Sequence, residues 1–320
     1  MHGTDRNAHW AEIGESTFVL GIWLLFWIHR VLGRWPFRLC IYPVVAVHWF
    51  THRLARQASL QYFERLQAHT GALGRAPNWR DGIRHLALFA ETVLDKLVAA
   101  SGQYPTERVK ASGREALYAN VHIGQGGLII TAHMGCLELC RIAEQQRGLL
   151  KLNVLVHTRH AEKFNRMLKR LNPENDINLI EVTEVGPATA VLLSEKVAAG
   201  EFIAIAGDRV PVFASKTVQA SFLGHMAPLP IGPYVLGSLL QCPVYVLGCV
   251  HEGKGYHLYF KLLAERMQLR RGQREAAMAE YAQRYIDAVT ELLVLSPYDW
   301  FNFFPFWDQQ ATANHATDTV

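Results

Sequence analysis

Residues 127–138 read GLIITAHMGCLE, a stretch in which an apolar run leads to a histidine and then to a carboxylate. The run Leu128 to Ala132 is short and apolar, which predicts a buried strand. His133 follows this strand, Gly135 predicts a turn, and Glu138 falls in the first turn of a predicted helix. A strand that passes through a tight turn into a helix is typical of a sheet covered by helices.

The same alternation of strand and helix continues along the chain. Further apolar runs predict strands at Leu152 to His157, Ile177 to Val182, Phe202 to Ala206, Pro243 to Val250 and Tyr256 to Leu263. The segments around them predict helices at Leu137 to Arg147, Ala161 to Leu171, Ala188 to Ala199, Ile231 to Gln241 and Gln273 to Leu295. This pattern predicts an α/β fold with a mostly parallel central sheet flanked by helices.

The first hundred residues have a helical pattern instead. Arg53 to His69 and Ile83 to Ala100 carry apolar residues at helical spacing. The end of the chain, from about Gln309, is polar and typical of a frayed terminus. We therefore predict a helical, membrane-associating region at residues 1–110, an α/β domain at 111–308 and a disordered tail at 309–320.

The composition fits a globular enzyme that touches lipid. The 320 residues are 50% hydrophobic and only 19% charged, which excludes a disordered or coiled-coil protein. A formal net charge of +4 without a long Lys/Arg tract argues against a nucleic-acid partner. Five cysteines without a CxxC pair predict reduced thiols and a cytosolic compartment. Cys136 and Cys140 are interpreted as small buried thiols on a helix rather than as metal ligands.

Two apolar runs near the N-terminus indicate a membrane-facing region. Thr17 to Ile28 and Leu39 to Phe50 are each shorter than the ~20 residues that a spanning helix needs. Acidic residues precede the first run and no small-residue cleavage site follows it, so it does not resemble a secretory signal. Between Ser16 and Phe63 lie five arginines and four tryptophans but no acidic residue. This mixture favours attachment to the cytoplasmic face of the cell inner membrane, and the alternative is a helical cap over a core.

His133 and Glu138 form the first candidate pair for catalysis. An imidazole at a strand end and a carboxylate five residues later can approach each other across the intervening turn. The carboxylate would then accept a hydrogen bond from one ring nitrogen and leave the other free to take a proton. The alternative is a histidine that caps the helix beside a solvated glutamate.

Segments in a fixed order extend this pattern. After residues 127–138 come VLVHTR at 154–159, FIAIAGDR at 202–209 and LPIGP at 229–233, which CPVYV follows at 242–246. Their order resembles the sequence blocks of the lysophospholipid acyltransferase superfamily, in particular its lipid A late acyltransferase branch. WFNFFPFW at 300–307 resembles the ending of predicted acyltransferases of glycolipid and aryl-polyene pathways. The GDR of the third block departs from the family's Glu-Gly-Thr-Arg.

The resemblance implies roles for individual residues. His133 would remove the proton from an acceptor hydroxyl or amine, and Glu138 would orient His133. Arg159 would hold a phosphate or another anionic group of the acceptor, with Asn165 in the same block. In the third block, Arg209 would contact substrate with Asp208 positioning it; the alternative is an ion pair that supports the loop. Near Gly135, backbone N–H groups at a helix N-terminus would form an oxyanion hole.

The resemblance also implies a glycerolipid acyltransferase-like fold and a reaction. An acyl chain would pass from acyl carrier protein, or from coenzyme A, to a lipid or glycolipid acceptor without a resident cofactor or metal. Two alternatives stay open, a metal-dependent hydrolase and a catalytically inactive lipid-binding relative. The aromatic run from Trp300 to Phe304 is interpreted first as core packing and second as a wall of an acyl channel.

Overall fold

The structure is a computed structural model that describes residues 18–140, 150–156, 178–181, 187–210 and 216–308. Its helices are α1 (Phe18–Leu32), α2 (Arg34–Thr51), α3 (Arg53–Thr70), α4 (Trp79–Ala100), α5 (Glu115–His122), α6 (Pro187–Ala198), α7 (Gly232–Leu240) and α8 (Arg274–Leu295). Its strands are β1 (Val109–Ser112), β2 (Gly127–Thr131), β3 (Leu152–Val156), β4 (Asn178–Glu181), β5 (Phe202–Ala206), β6 (Thr217–Phe222), β7 (His225–Pro230), β8 (Val244–Glu252) and β9 (Gly255–Ala264).

Seven of these strands form the central sheet, in the order β1-β9-β8-β2-β5-β3-β4. Five of the six neighbouring pairs are parallel, and β8 with β9 is antiparallel. The strands β6 and β7 form a separate antiparallel hairpin. The predicted α/β class with a mostly parallel sheet and covering helices is therefore confirmed.

The sheet separates two hydrophobic cores. Side chains of β2 alternate between them, since Leu128 and Ile130 pack on one face and Ile129 on the other. The face of Ile129 is covered by α1, α2, α4 and α5, and the opposite face by α3, α6, α7, α8 and the segment 298–307. The N-terminal helices consequently share a core with the sheet.

The predicted elements agree with the structure wherever it describes them. The strands expected around β2, β3, β4, β5, β8 and β9 are present, as are the helices expected around α3, α4, α6, α7 and α8. The short strand β1, the helix α5 and the hairpin of β6 and β7 were not predicted. The helix expected at Ala161 to Leu171 lies outside the described residues, and so does most of that expected at Leu137 to Arg147.

The helix α4 has a defined start, at Asn78. The side chain of Asn78 accepts a hydrogen bond from the N–H of Arg80, and Asp81 accepts one from the N–H of Asn78. This reciprocal cap satisfies backbone donors that the first helical turn leaves unpaired. The C-terminal half of α4 then carries charged side chains toward the carboxyl ends of the sheet strands.

In the part of the chain that the structure describes, no helix combines the length and the apolarity needed to cross a membrane.

Candidate active site

His133 and Asp208 meet at the carboxyl edge of two neighbouring strands. The parallel strands β2 and β5 pair Thr131 with Ala206 at their last registered position. His133 and Asp208 each stand two residues beyond that position, so the strand register brings them opposite each other. This edge is where sheets of this kind place binding and catalytic groups.

The carboxylate of Asp208 holds both the backbone and the ring of His133. Its Oδ1 lies 2.7 Å from Nδ1 of His133, and its Oδ2 accepts the backbone N–H of His133 at 2.8 Å. A third donor, Nε1 of Trp300, reaches Oδ2 at 3.0 Å. No hydrogen bond joins Nε2 of His133 to any residue that the structure describes, and 37% of the His133 side chain is exposed. The ring is therefore oriented through Nδ1 and presents Nε2 for proton transfer.

This geometry corrects the expected pairing of His133 with Glu138. The described contacts of Glu138 are with Nζ of Lys96, at 3.4 Å, and with Sγ of Cys136, at 3.6 Å. The local spacing suggested that the two side chains would turn toward each other, but the β2–β5 register supplies His133 with a closer carboxylate. Glu138 instead favours the charged form of a half-buried lysine, because desolvation would lower the pKa of Lys96 and the Glu138 carboxylate raises it.

The electrostatic environment keeps His133 neutral and Asp208 ionised. Burial, and after it the charge of Arg209, lowers the pKa of His133 below its ordinary value of 6.5, although Asp208 opposes this change. Burial would raise the pKa of Asp208. In the acid range where Asp208 titrates, the positive charge of protonated His133 and its hydrogen bonds outweigh burial and lower the pKa of Asp208 to about 2. At neutral pH the pair is thus a neutral imidazole beside a carboxylate, which is the form a general base requires.

Arg209 lies beside this pair and contacts the C-terminal aromatic segment. Its guanidinium donates to the carbonyl of Phe301 at 3.0 Å and lies 5.7 Å from the ring centroid of Phe304. The charges of Arg209 and Asp208 favour each other, while the hydrogen bonds of Asp208 described above come from His133 and Trp300. The positioning of Arg209 by Asp208 therefore stays a prediction. Arg209 still supplies positive charge near the imidazole.

The backbone N–H of Gly135 is occupied, which corrects its expected role in an oxyanion hole. It donates to the carbonyl of Asp299 at 3.1 Å. Gly135 also has a φ of 53°, and a Cβ at this position would lie 2.0 Å from the carbonyl oxygen of Cys249. The glycine therefore allows the turn after β2 to pass against β8.

Replacing Gly135 by Ala is expected to destabilise the protein by about 3 kcal/mol or more, because a left-handed backbone and a steric overlap with Cys249 add together. Gly124→Ala is the matched control: Gly124 has a φ of 71°, but nothing lies within 4 Å of the added Cβ. That control should lose about 1 kcal/mol. Chemical denaturation of both variants measures the difference, and equal losses would contradict the proposed close approach.

The remaining predicted positions lie elsewhere. Arg159 and Asn165 are outside the described residues, so the acceptor-binding block stays a prediction. Cys136 and Cys140 are buried, as expected, and burial raises the pKa of Cys136 well above its usual value. Among the described residues, no group of three or more His, Cys, Asp or Glu side chains could hold a metal ion.

Sequence reasoning missed two contributors to this site. Lys96 projects from α4 toward Glu138, and its charge also lowers the pKa of His133. Trp300 was interpreted as core packing, and its indole N–H reaches Asp208. The sequence contains a signal for Lys96, because a charged residue among the apolar positions of an amphipathic helix indicates a charged partner nearby. For Trp300 the sequence carries no signal, because a buried tryptophan looks the same with or without a partner for its N–H.

Comparison of the chain with protein-family models finds no matching family, and comparison with curated proteins finds no match.

Proposed function

We propose that this protein is a membrane-associated acyltransferase. It moves an acyl chain from an acyl-carrier-protein or coenzyme A thioester to a hydroxyl or amine of a lipid or glycolipid acceptor. The observation that carries the proposal is the 2.7 Å contact between Nδ1 of His133 and Asp208, which leaves Nε2 available as a base. The ordered sequence blocks that resemble the lysophospholipid acyltransferase superfamily give the reaction class.

The reaction balances with the groups at the site. Nε2 of His133 takes the proton of the acceptor O–H or N–H while the acceptor oxygen or nitrogen attacks the thioester carbonyl carbon. The tetrahedral intermediate collapses, the C–S bond breaks, and the leaving thiolate receives the proton back from the imidazolium. One ester or amide bond forms, one thioester bond is lost, and no group is oxidised or reduced. The carboxylate of Asp208 stabilises the imidazolium between these steps.

Positive charge around His133 suits anionic substrates. Arg209 and Lys96 both lie close enough to lower the pKa of its imidazole. Both thioester donors carry phosphate, and many lipid acceptors do so as well. We therefore expect these two cations to attract the anionic parts of donor and acceptor toward the base.

A membrane surface is the proposed partner of α1 and α2. The helix α2 buries one apolar stripe, Phe37, Ile41, Val45 and Trp49, against the rest of the protein. A second set of large apolar side chains on the two helices is exposed: Leu24, Trp27, Val31, Leu32, Trp35, Leu39, Tyr42, Val44, Val47 and Phe50. A contiguous set of exposed apolar side chains of this size is typical of a surface that binds another protein or a membrane. We propose that it inserts into the cytoplasmic leaflet of the cell inner membrane.

The arginines of this region have two different roles in the proposal. Arg34 and Arg38 form ion pairs with Asp95 and Glu91 of α4, so they fix α2 to α4. The side chains of Arg30 and Arg53 are exposed. We expect these to meet anionic lipid headgroups beside the apolar face.

Replacing Leu39 by Glu is expected to weaken binding to vesicles that contain anionic phospholipid by about tenfold or more, because an exposed apolar side chain becomes a charge that lipid excludes. Ile123→Glu is the matched control, since Ile123 is 74% exposed and Leu39 is 75% exposed. Ile123 directly follows α5 and does not belong to α1 or α2. Vesicle co-sedimentation of the two variants measures the effect, and equal binding by both would remove α2 from the membrane contact.

The proposed activity is tested by acyl transfer from radiolabelled acyl carrier protein, with total lipid extract of the native host as the acceptor pool. Parallel reactions use an acyl coenzyme A donor, no acceptor, or a metal chelator. We expect a labelled lipid whose mass identifies the acceptor. Release of free fatty acid alone, sensitive to chelator, would instead favour a metal-dependent hydrolase. Lipid binding without turnover of either donor would favour an inactive relative.

A further inference from the structure

The segment 299–301 crosses the site and makes a contact with every part of the turn that carries His133. Gly135 donates its N–H to the carbonyl of Asp299, and Phe301 donates its N–H to the carbonyl of His133. Trp300 lies between these two bonds and forms a β-bridge with Met134. We call residues 299–301 the strap.

We propose that Trp300 is a positioning residue, whose indole N–H fixes the carboxylate of Asp208 in the orientation that holds the ring of His133. The role of this pair in acyl transfer rests on the proposed function. The hydrogen bond itself does not depend on which reaction the site performs.

The three donors on Asp208 are divided between its two oxygens. Oδ2 receives Nε1 of Trp300 at 3.0 Å and the backbone N–H of His133 at 2.8 Å, while Oδ1 faces Nδ1 of His133 at 2.7 Å. Rotation of the carboxylate would break the bond to Trp300 as well as the bond to the imidazole. The indole therefore opposes a turn that would leave His133 without its partner.

Trp300 is itself held rigidly. Only 1% of its surface is exposed, and its ring packs edge-on against Tyr62, Phe222 and Phe306 at centroid distances of 4.8–5.1 Å. Its carbonyl oxygen lies 2.8 Å from Nε2 of His85, whose pKa burial lowers to about 4. In neutral His85, Nε2–H donates to the carbonyl of Trp300, and Nδ1 can accept a hydrogen bond. The hydroxyl of Ser59, in α3, lies 2.9 Å from this Nδ1.

The strap is also anchored on its other side. The carboxylate of Asp299 accepts the backbone N–H of His251 at 2.6 Å and lies 2.5 Å from Nδ1 of the same residue. The hydroxyl of Ser296 donates to Asp299 at 2.5 Å. With both flanks fixed, the indole of Trp300 meets Asp208 in one geometry, and no rearrangement is needed when the imidazolium forms.

Trp300→Phe tests the proposal, because it removes the N–H and keeps a large aromatic ring. The matched control is Trp307→Phe, since Trp307 belongs to the same aromatic cluster and its Nε1 donates to the carbonyl of Phe222 at 3.3 Å. We expect kcat to fall by about tenfold or more in Trp300→Phe, with KM within about twofold, and to stay near the wild-type value in Trp307→Phe. The pKa of His133, measured by NMR, should fall further in Trp300→Phe, because a turned carboxylate no longer opposes burial and Arg209.

The NMR titration needs no turnover, so it separates this inference from the proposed function. If the pKa of His133 changes in Trp300→Phe but the wild type shows no acyl transfer, the inference about Trp300 stands and the proposed function is wrong. If the wild type transfers acyl chains, and Trp300→Phe and Trp307→Phe have the same kcat and the same pKa of His133, the inference about Trp300 is wrong. If Trp300→Phe does not fold, wild-type protein labelled at its indole nitrogens supplies the test. The Nε1–H resonance of Trp300 should then follow the titration of His133, while that of Trp307 should not; a flat Trp300 resonance would contradict the proposal.

Discussion

Replacement of His133 by Asn is expected to lower the rate of acyl transfer by about a hundredfold to ten-thousandfold, the range that a general base contributes. Asn keeps polarity and approximate size but cannot take the acceptor proton at the position of Nε2. The measurement is transfer from labelled acyl carrier protein under single-turnover conditions. His257→Asn serves as the control, because His257 lies on β9 and contacts Ser112 and Glu252 instead.

The pH dependence of the wild-type reaction follows from the same residue. The base must be neutral, and burial together with Arg209 lowers the pKa of His133 below 6.5. We therefore expect kcat/KM to rise with pH through an inflection below 6.5 and then to level off. His133→Asn should lose this inflection in its residual rate. A residual rate that keeps the wild-type pH profile would show that another group is the base.

Replacement of Asp208 by Asn is expected to cost about a thousandfold in kcat, whereas Glu138→Gln should cost less than about tenfold. The asparagine side chain would offer an amide where Nδ1 needs an acceptor, so the ring would lose the tautomer that leaves Nε2 basic, as in other histidine–aspartate pairs. Glu138 acts on Lys96 and does not contact His133 in the structure. The two variants are compared in the same transfer assay, and the opposite ranking would return Glu138 to the role that the local sequence suggested.

Asp208 also makes the folded protein sensitive to acid. Its folded-state pKa of about 2 lies below the ordinary value of 3.8, so its stabilising contribution is complete above pH 3.8 and is lost as the pH falls toward 2. The difference between these two pKa values corresponds to about 2 kcal/mol in the free energy of unfolding. Unfolding of Asp208→Asn should accordingly depend less on pH between 4 and 2 than unfolding of the wild type. An unchanged dependence would mean that the contact with His133 does not stabilise the ionised carboxylate.

Much of the fold was predictable because its strands are locally distinctive. The strands β2, β5 and β8 are short apolar runs between turn residues, which a single sequence displays directly. The hairpin was missed for an equally local reason: β7 contains Pro228 and Pro230, and proline argues against a strand unless it lies at an edge. The strand β1 has only four residues, two of them polar, and it is stabilised by pairing with distant β9.

The candidate site was predictable only in part. His133 could be identified because it directly follows a buried strand, and the chemistry of a histidine there is general. Its carboxylate partner could not, because Glu138 lies five residues away in sequence and Asp208 lies 75 residues away. Local spacing favours the near residue, since a sequence contains no measure of which strands will become neighbours.

The sequence by itself determined the positions of six strands of the central sheet, the apolar runs that form α1 and α2, and the position of His133 at a strand end. Each of these features depends on residues that are close together in the sequence. Hydrophobic periodicity and the identity of turn residues are therefore enough to predict it. Only the tertiary structure decided that β2 lies beside β5 in a register that places Asp208 against His133. It alone also decided that the strap brings the indole of Trp300 to the same carboxylate, because that contact joins segments that only the packing of the whole chain brings together.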